Sequence, residues 1–233
     1  MGILNPITIK LEETELIQSL GGKVPRLKEE VGSILKQYAS LIEPKAVYTS
    51  SRVKSIERDR VHFDKDVVLK GLILADMLEL GQEVVPYVVT VGPELENKAS
   101  EEGSLLREWI IEKMADYALE KATAQVKSQV TSYASKVGNV MSTFSPGTGT
   151  GELFGIEQQE NLFRLVDSAE SIGVHLTPSH LMVPRKSVSG ILAATNEEYV
   201  ACEYCPRVCD SRRKAFRGDY RPRPKTVEKS LLN

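Results

Sequence analysis

The sequence predicts an α+β fold. Helical and extended signals are scattered among one another along the chain rather than alternating as regular βα units. One stretch, residues 104–137, holds no Gly or Pro and is helical by its apolar spacing. Several short runs rich in β-branched residues, in contrast, read as strands. The expected organisation is one α+β domain over residues 1–200, with a cysteine cluster and basic arm over residues 201–233.

The elements follow in order. Residues 7–10 form a short extended run, and residues 13–20 give one or two helical turns stopped by Gly21 and Gly22. Leu27, Val31, Leu35 and Tyr38 recur at helical spacing behind Pro25. Residues 46–49, 52–57, 61–63 and 67–69 read as strands in a meander. Residues 72–80 are helical to Gly81, and the apolar run 84–91 is a buried strand closed by Gly92. In the long helix Leu106, Ile110, Met114, Ala118, Ala122, Val126, Val130, Tyr133 and Val137 keep steps of three or four, and Gly138 ends it. Residues 140–144 then read as a strand, 156–172 as a helix, and 181–183 and 188–193 as two further strands.

Composition narrows the class. With 41% apolar and 27% charged residues the chain is an ordinary globular protein. A net charge of −2 gives no global attraction to nucleic acid or to a membrane. No apolar run is long enough to span a bilayer, and no basic-then-apolar leader opens the sequence, so a cytoplasmic protein is expected. Residues 206–229 hold nine Lys or Arg against three acids and lack apolar periodicity, which reads as an extended or weakly ordered arm. Without an RNA-binding signature, nucleic acid is not the expected partner of this arm.

Four features carry chemistry. Cys202, Cys205 and Cys209 are the only cysteines and fall within eight positions. Thiolates suit zinc, copper(I) or iron–sulfur clusters, but three are one short of the usual four. His175 and His180 are candidates for the fourth ligand. Gly147, Gly149 and Gly151 free the loop that starts Ser145-Pro146 for close approach to a ligand, with Ser145, Thr148 and Thr150 hydroxyls beside exposed amides. Glu112, Asp116 and Glu120 share one helix flank, either a solvated face or a carboxylate edge. Ser187 and Ser189 put two hydroxyls on one side of a strand.

Taken in order, these elements resemble the activation, or reactivation, domain of cobalamin-dependent methionine synthase, and still more its stand-alone relatives. The matching stretches are residues 16–22, 89–96, Glu112 and Glu120, Ser145-Pro146-Gly147, residues 158–165, residues 172–190 and the cysteines followed by Arg212. The resemblance spans residues 7–213, and its most specific parts are the Pro-Gly loop and Lys186-Ser-Val-Ser-Gly190. It implies a twisted antiparallel sheet with flanking helices and one long central helix. It also implies S-adenosylmethionine bound in a groove and contact with a corrinoid-binding protein or cobalamin-dependent methyltransferase that supplies the cobalamin. The reaction supported would be reductive methylation, in which cobalamin gains one electron and then a methyl group from S-adenosylmethionine. Thr143, Ser145, Pro146, Gly147, Thr148 and Gly149 would line the ligand groove, with Glu112, Glu120, Ser187 and Ser189 around it. One departure stands out. The family's Arg-x-x-x-Gly-Tyr motif has Thr143 in place of Arg and Thr148 in place of Tyr. That removes a donor fork for a carboxylate and an aromatic wall. The alternatives are a docking module that has lost the methyl donor, or a protein whose cysteine-bound centre passes electrons to the corrinoid.

Overall fold

The computed structural model describes residues 2–4, 7–21, 25–134, 140–148, 151, 153–166, 169–209 and 212–222. Its centre is an antiparallel sheet of β1 (Gly2–Leu4), β2 (Lys45–Tyr48), β7 (Glu83–Thr90), β11 (Ser187–Thr195) and β8 (Val140–Phe144) in that spatial order, with β3 (Ser51–Arg52) also on β7. The two long strands at its heart, β7 and β11, are the apolar runs, buried on both faces. A separate meander, β4 (Ser55–Glu57), β5 (Arg60–His62) and β6 (Val68–Lys70), packs beside it, and a small hairpin joins β9 (His175–Leu176) to β10 (Met182–Val183).

Helices α1 (Glu13–Ser19), α2 (Pro25–Tyr38), α4 (Glu94–Glu101) and α5 (Leu105–Ala134) gather on one side. The other side of the sheet carries α6 (Gln159–Val166) and, next to the meander, α3 (Leu72–Met77). The 30-residue α5, about 45 Å long, buries two different stripes. Ile110, Ile111, Met114 and Ala115 pack against α1, α2 and α4. Further on, Ala118, Ala122, Val126 and Val130 lie on the sheet beneath Val89 and Leu192. The expected stop at Gly138 falls outside the described residues.

Three expectations are corrected, the first being that residues 46–49 lie in the central sheet as β2 and not in the meander. Residues 7–10 form no strand; Ile7 is held by a 3.0 Å bond from its N–H to the Pro44 carbonyl. The strand at Gly2–Leu4, by contrast, had no sequence signal of its own. Residues 156–172 are not one helix but a 3-10 turn (Ile156–Gln158), α6 and a second 3-10 turn (Ala169–Ile172). The second turn closes on Gly173 (φ +78°), whose N–H bonds the Glu170 carbonyl at 3.0 Å.

The described part of the basic arm, residues 212–222, has no regular structure yet is pinned to the body. Arg217 pairs with the buried Glu203 at 3.2 Å, and the Tyr220 hydroxyl bonds Asp76 on α3. No helix is long and apolar enough to cross a membrane, among the described residues.

Candidate functional site

The register of β11 creates the site. β7 pairs with it from residue 187 to 192, but β8 pairs with it only from 191 to 195. Among the described residues, 187–190 therefore have a strand neighbour on one side alone, and their other edge carries no paired strand. β8 leaves that edge because the chain turns at Ser145-Pro146-Gly147-Thr148. The Thr148 N–H reaches the Ser145 carbonyl at 3.3 Å, with Pro second and Gly147 third at φ +79°. Pro before a positive-φ Gly is the composition of a type II turn. The Gly147 N–H donates to the Phe154 carbonyl at 2.8 Å, and a Cβ on Gly147 would lie 2.8 Å from Ile156 Cδ1.

At Gly147 and Thr148 this corrects the reading of the loop as a cradle of exposed amides. The amides of Gly147 and Thr148 are used within the turn, and the Thr148 hydroxyl donates to the Ser145 carbonyl at 2.7 Å. Pro146 is buried, while Gly147 and Thr148 face solvent. Gly149 and Thr150 lie outside the described residues. Ser145 turns inward to bond the Tyr87 hydroxyl, which burial pushes up to about 12 and the Ser145 bond moderates. Gly190 sits opposite Tyr87, and a Cβ there would lie 2.8 Å from both the Phe144 carbonyl and Ser145 Oγ. The sheet edge and the turn can meet this closely only because residue 190 has no side chain.

The acidic flank of α5 borders the same edge. Lys186, immediately before the open stretch, reaches Glu112 at 2.7 Å and Asp116 at 2.6 Å, and its backbone N–H bonds Glu96 at 2.9 Å. Arg185 adds a 2.9 Å contact to Glu112. Burial alone would lower the Lys186 pKa, but the bonds to Asp116 and Glu112 outweigh it and hold it above its ordinary value. Glu112 and Asp116 are thus paired rather than merely solvated. Glu120 lies one turn, about 6 Å, further along the flank and is exposed.

Strand alternation divides the remaining candidates between the two faces. Thr143, Ser145, Gly190 and Tyr87 lie on the α5 face, whereas Ser187 and Ser189 point to the opposite one. There, both serines are buried. Ser189 bonds Gln159 on α6 at 2.7 Å, and Ser187 bonds the Pro184 carbonyl at 2.7 Å and Thr90 at 2.9 Å. Their hydroxyls are thus engaged within the fold. Tyr87, Gly190 and Lys186 were not among the expected site residues. Their roles depend on cross-strand register, and only the Lys-Ser-Val-Ser-Gly run pointed near them.

The sequence model for the activation domain of vitamin B12 dependent methionine synthase matches residues 70–207, more than half of the chain. The chain belongs to this activation-domain family. Its fold agrees. A crystal structure of the MetH reactivation domain bound to AdoHcy superposes with a TM-score of 0.65 at 14% identity, covering 83% of this chain and 73% of that one. Comparison with curated protein sequences gave no match.

The activation-domain match takes in Cys202 and Cys205 and ends before Cys209. All three thiols are free, the first two half-buried and the last exposed. Among the described residues no three His, Cys, Asp or Glu side chains come together as a metal site, so neither His175 nor His180 completes one. The cysteine segment is nevertheless tied to the 145–148 turn. Tyr204, between Cys202 and Cys205, stacks on Tyr199 at 6.1 Å, and Tyr199 stacks on Phe144 at 5.2 Å. Phe144 is the last residue of β8 before the turn. Ser142 fixes this column by accepting the Tyr199 N–H at 2.9 Å.

Proposed function

We propose that this chain is a cytoplasmic corrinoid-reactivation protein. It seats S-adenosylmethionine along the open edge of β11 and presents it to a cobalamin-bearing protein, supporting reductive methylation of a cobalamin-dependent methionine synthase or a related corrinoid methyltransferase. The observation that carries this reading is the open edge at residues 187–190, bracketed by the 145–148 turn and the acidic flank of α5. An unpaired strand edge offers backbone donors and acceptors to an extended ligand. The exposed Glu120 carboxylate suits a ligand bearing positive charge and ribose hydroxyls, while Glu112 is held by Lys186 and Arg185 at the same edge. Membership of the activation-domain family supports this reaction class, as does the MetH reactivation domain of similar fold, which is bound to AdoHcy. The partner's corrinoid supplies the metal chemistry, while this chain binds and orients the methyl donor.

Thr143 and Thr148 lower the expected affinity, because neither replaces a guanidinium fork or an aromatic wall. The internally used amides of Gly147 and Thr148 favour a second reading on the same side of that balance: a docking module that keeps the fold and its partner but not the donor.

Calorimetric titration of anaerobically purified protein with S-adenosylmethionine and with S-adenosylhomocysteine separates the two. Saturable binding that is lost in Gly147→Val supports reactivation. Absence of heat with either ligand, in a protein that still captures a corrinoid protein, overturns donor binding and leaves the docking module.

A further inference from the structure

Lys127 continues the flank of α5 that carries Glu112, Asp116 and Glu120. These residues follow one another at four, four and seven positions, and each of those steps returns to nearly the same side of a helix. Glu112 and Asp116 are taken by Lys186. Lys127 has no such partner. It is half-buried, and among the described residues its ammonium makes no hydrogen bond and no ion pair. An ammonium withdrawn from water and left unpaired is unfavourable, and a carboxylate is the group that offsets this.

The surroundings of Lys127 are set by the sheet and by the basic arm. Its neighbour Val126 packs in one cluster with Leu192 and Met141. Thr143 is paired with Leu192 and, by alternation, shares the face of Met141, so β8 lies over this end of the flank. The short Thr143 side chain brings no charge there. Three exposed charges do act on Lys127. Burial lowers its pKa most and Arg213 lowers it further, while Glu120 and Glu198 act the other way. Glu120 sits about 10 Å back along the helix axis, towards the open edge of β11.

Building on the donor-binding reading above, we propose that Lys127 and Arg213 hold the carboxylate of an α-amino-acid head group, with its ammonium towards Glu120 and Glu198. Two cations beside two acids suit a zwitterion, whereas a bare phosphate would meet both carboxylates. Hydrogen bonds between an ammonium or guanidinium and a carboxylate belong to the strong, charge-assisted class. The amino-acid end of the methyl donor therefore lies beneath β8, and its adenosine end is left to the edge at residues 187–190. Arg213 stands beyond the activation-domain match, which ends at residue 207, so the arm completes the site.

Calorimetry tests this with S-adenosylhomocysteine and with methylthioadenosine, which lacks the amino-acid head. Lys127→Met is expected to weaken S-adenosylhomocysteine about tenfold or more, the value of one charge-assisted hydrogen bond. It should leave methylthioadenosine, far-UV circular dichroism and the urea midpoint unchanged. Lys127→Arg should recover most of the loss, and Arg213→Gln should give a smaller loss of the same selectivity. Equal weakening of both ligands, or of neither, overturns the proposal. If neither ligand binds the wild type, the donor-binding reading fails and L-methionine decides the site by nuclear magnetic resonance of the lysine ammonium groups. A saturable shift of Lys127 that inorganic phosphate does not produce sustains the site. No shift, or the same shift with phosphate, overturns it.

Discussion

Lys186 Nζ lies 2.7 Å from Glu112 Oε2, joining the start of β11 to the flank of the long helix. The lysine side chain is 12% exposed and the glutamate 26%, so water screens the pair only in part. Lys186→Met should cost about 1–2 kcal/mol, between the values for exposed and buried pairs. The raised pKa of Lys186 fixes the pH dependence. Its contribution is fully present below the unfolded lysine value and is lost as pH rises through the higher folded value. Urea midpoints for wild type and Lys186→Met should therefore differ at neutral pH and converge at strongly alkaline pH. A constant difference across that range would contradict the assignment.

Gly190 gives a second prediction. A Cβ there meets the Phe144 carbonyl, which belongs to backbone and cannot swing away. Gly190→Ala should destabilise by about 1–3 kcal/mol, the usual cost of overpacking, and should displace the 145–148 turn. Gly151, with nothing within 4 Å of an added Cβ, is the control. Gly151→Ala should stay within about 0.5 kcal/mol of wild type. Equal effects of the two changes in chemical denaturation would refute the close approach of sheet edge and turn.

Tyr87 gives a spectroscopic prediction. Burial disfavours its phenolate and raises it to about 12. An acid raised on folding is stabilising below its unfolded value of about 10 and loses that stability as pH climbs towards the folded value. Ultraviolet titration should show one tyrosine ionising late, with unfolding promoted over the same window. Tyr87→Phe should remove that component and cost about 1 kcal/mol through the Ser145 hydroxyl it leaves unbonded.

The cysteine segment predicts an order of thiol reactivity. Cys209, exposed, should react first with a disulfide reagent, and the half-buried Cys202 and Cys205 later. Arg212→Ala, which frees the Cys202 and Cys205 carbonyls that the guanidinium binds at 2.7 and 2.8 Å, should bring the slow pair towards the fast rate. If all three thiols of the wild type react together, Arg212 does not hold the segment closed.

The long helix was legible because residues 105–134 lack Gly and Pro and keep helical apolar spacing throughout. The apolar runs of β7 and β11 and the β-branched runs 52–57, 61–63 and 67–69 were legible for a similar reason, but nothing local told residues 46–49, which join the central sheet, from the meander. The open edge of β11 was not. It exists because β8 stops four residues short of the start of β11, a matter of register between strands far apart in sequence. The pairing of Glu112 with Lys186 was hidden likewise, since a helix pattern shows its own flank but not what crosses it. The two serines of the Lys-Ser-Val-Ser-Gly run were correctly placed on one strand face, yet alternation could not say that this face meets Gln159. The aromatic column left no periodic trace, because Tyr199, Tyr204 and Tyr220 come from segments without a strand or α-helical repeat.

The stretch by which the chain is recognised closes at residue 207, but the packing does not. Tyr220 meets Tyr204 edge-on at 4.9 Å, and Arg217 and Arg212 grip the segment before it. Ancestry and cooperativity therefore end at different places. A protease cut just after Val208 would spare every residue of the family match while stripping away the cover of the Tyr199–Tyr204 stack. Amides near Tyr199 should then exchange with deuterium faster, although no residue that identifies the family would have been lost.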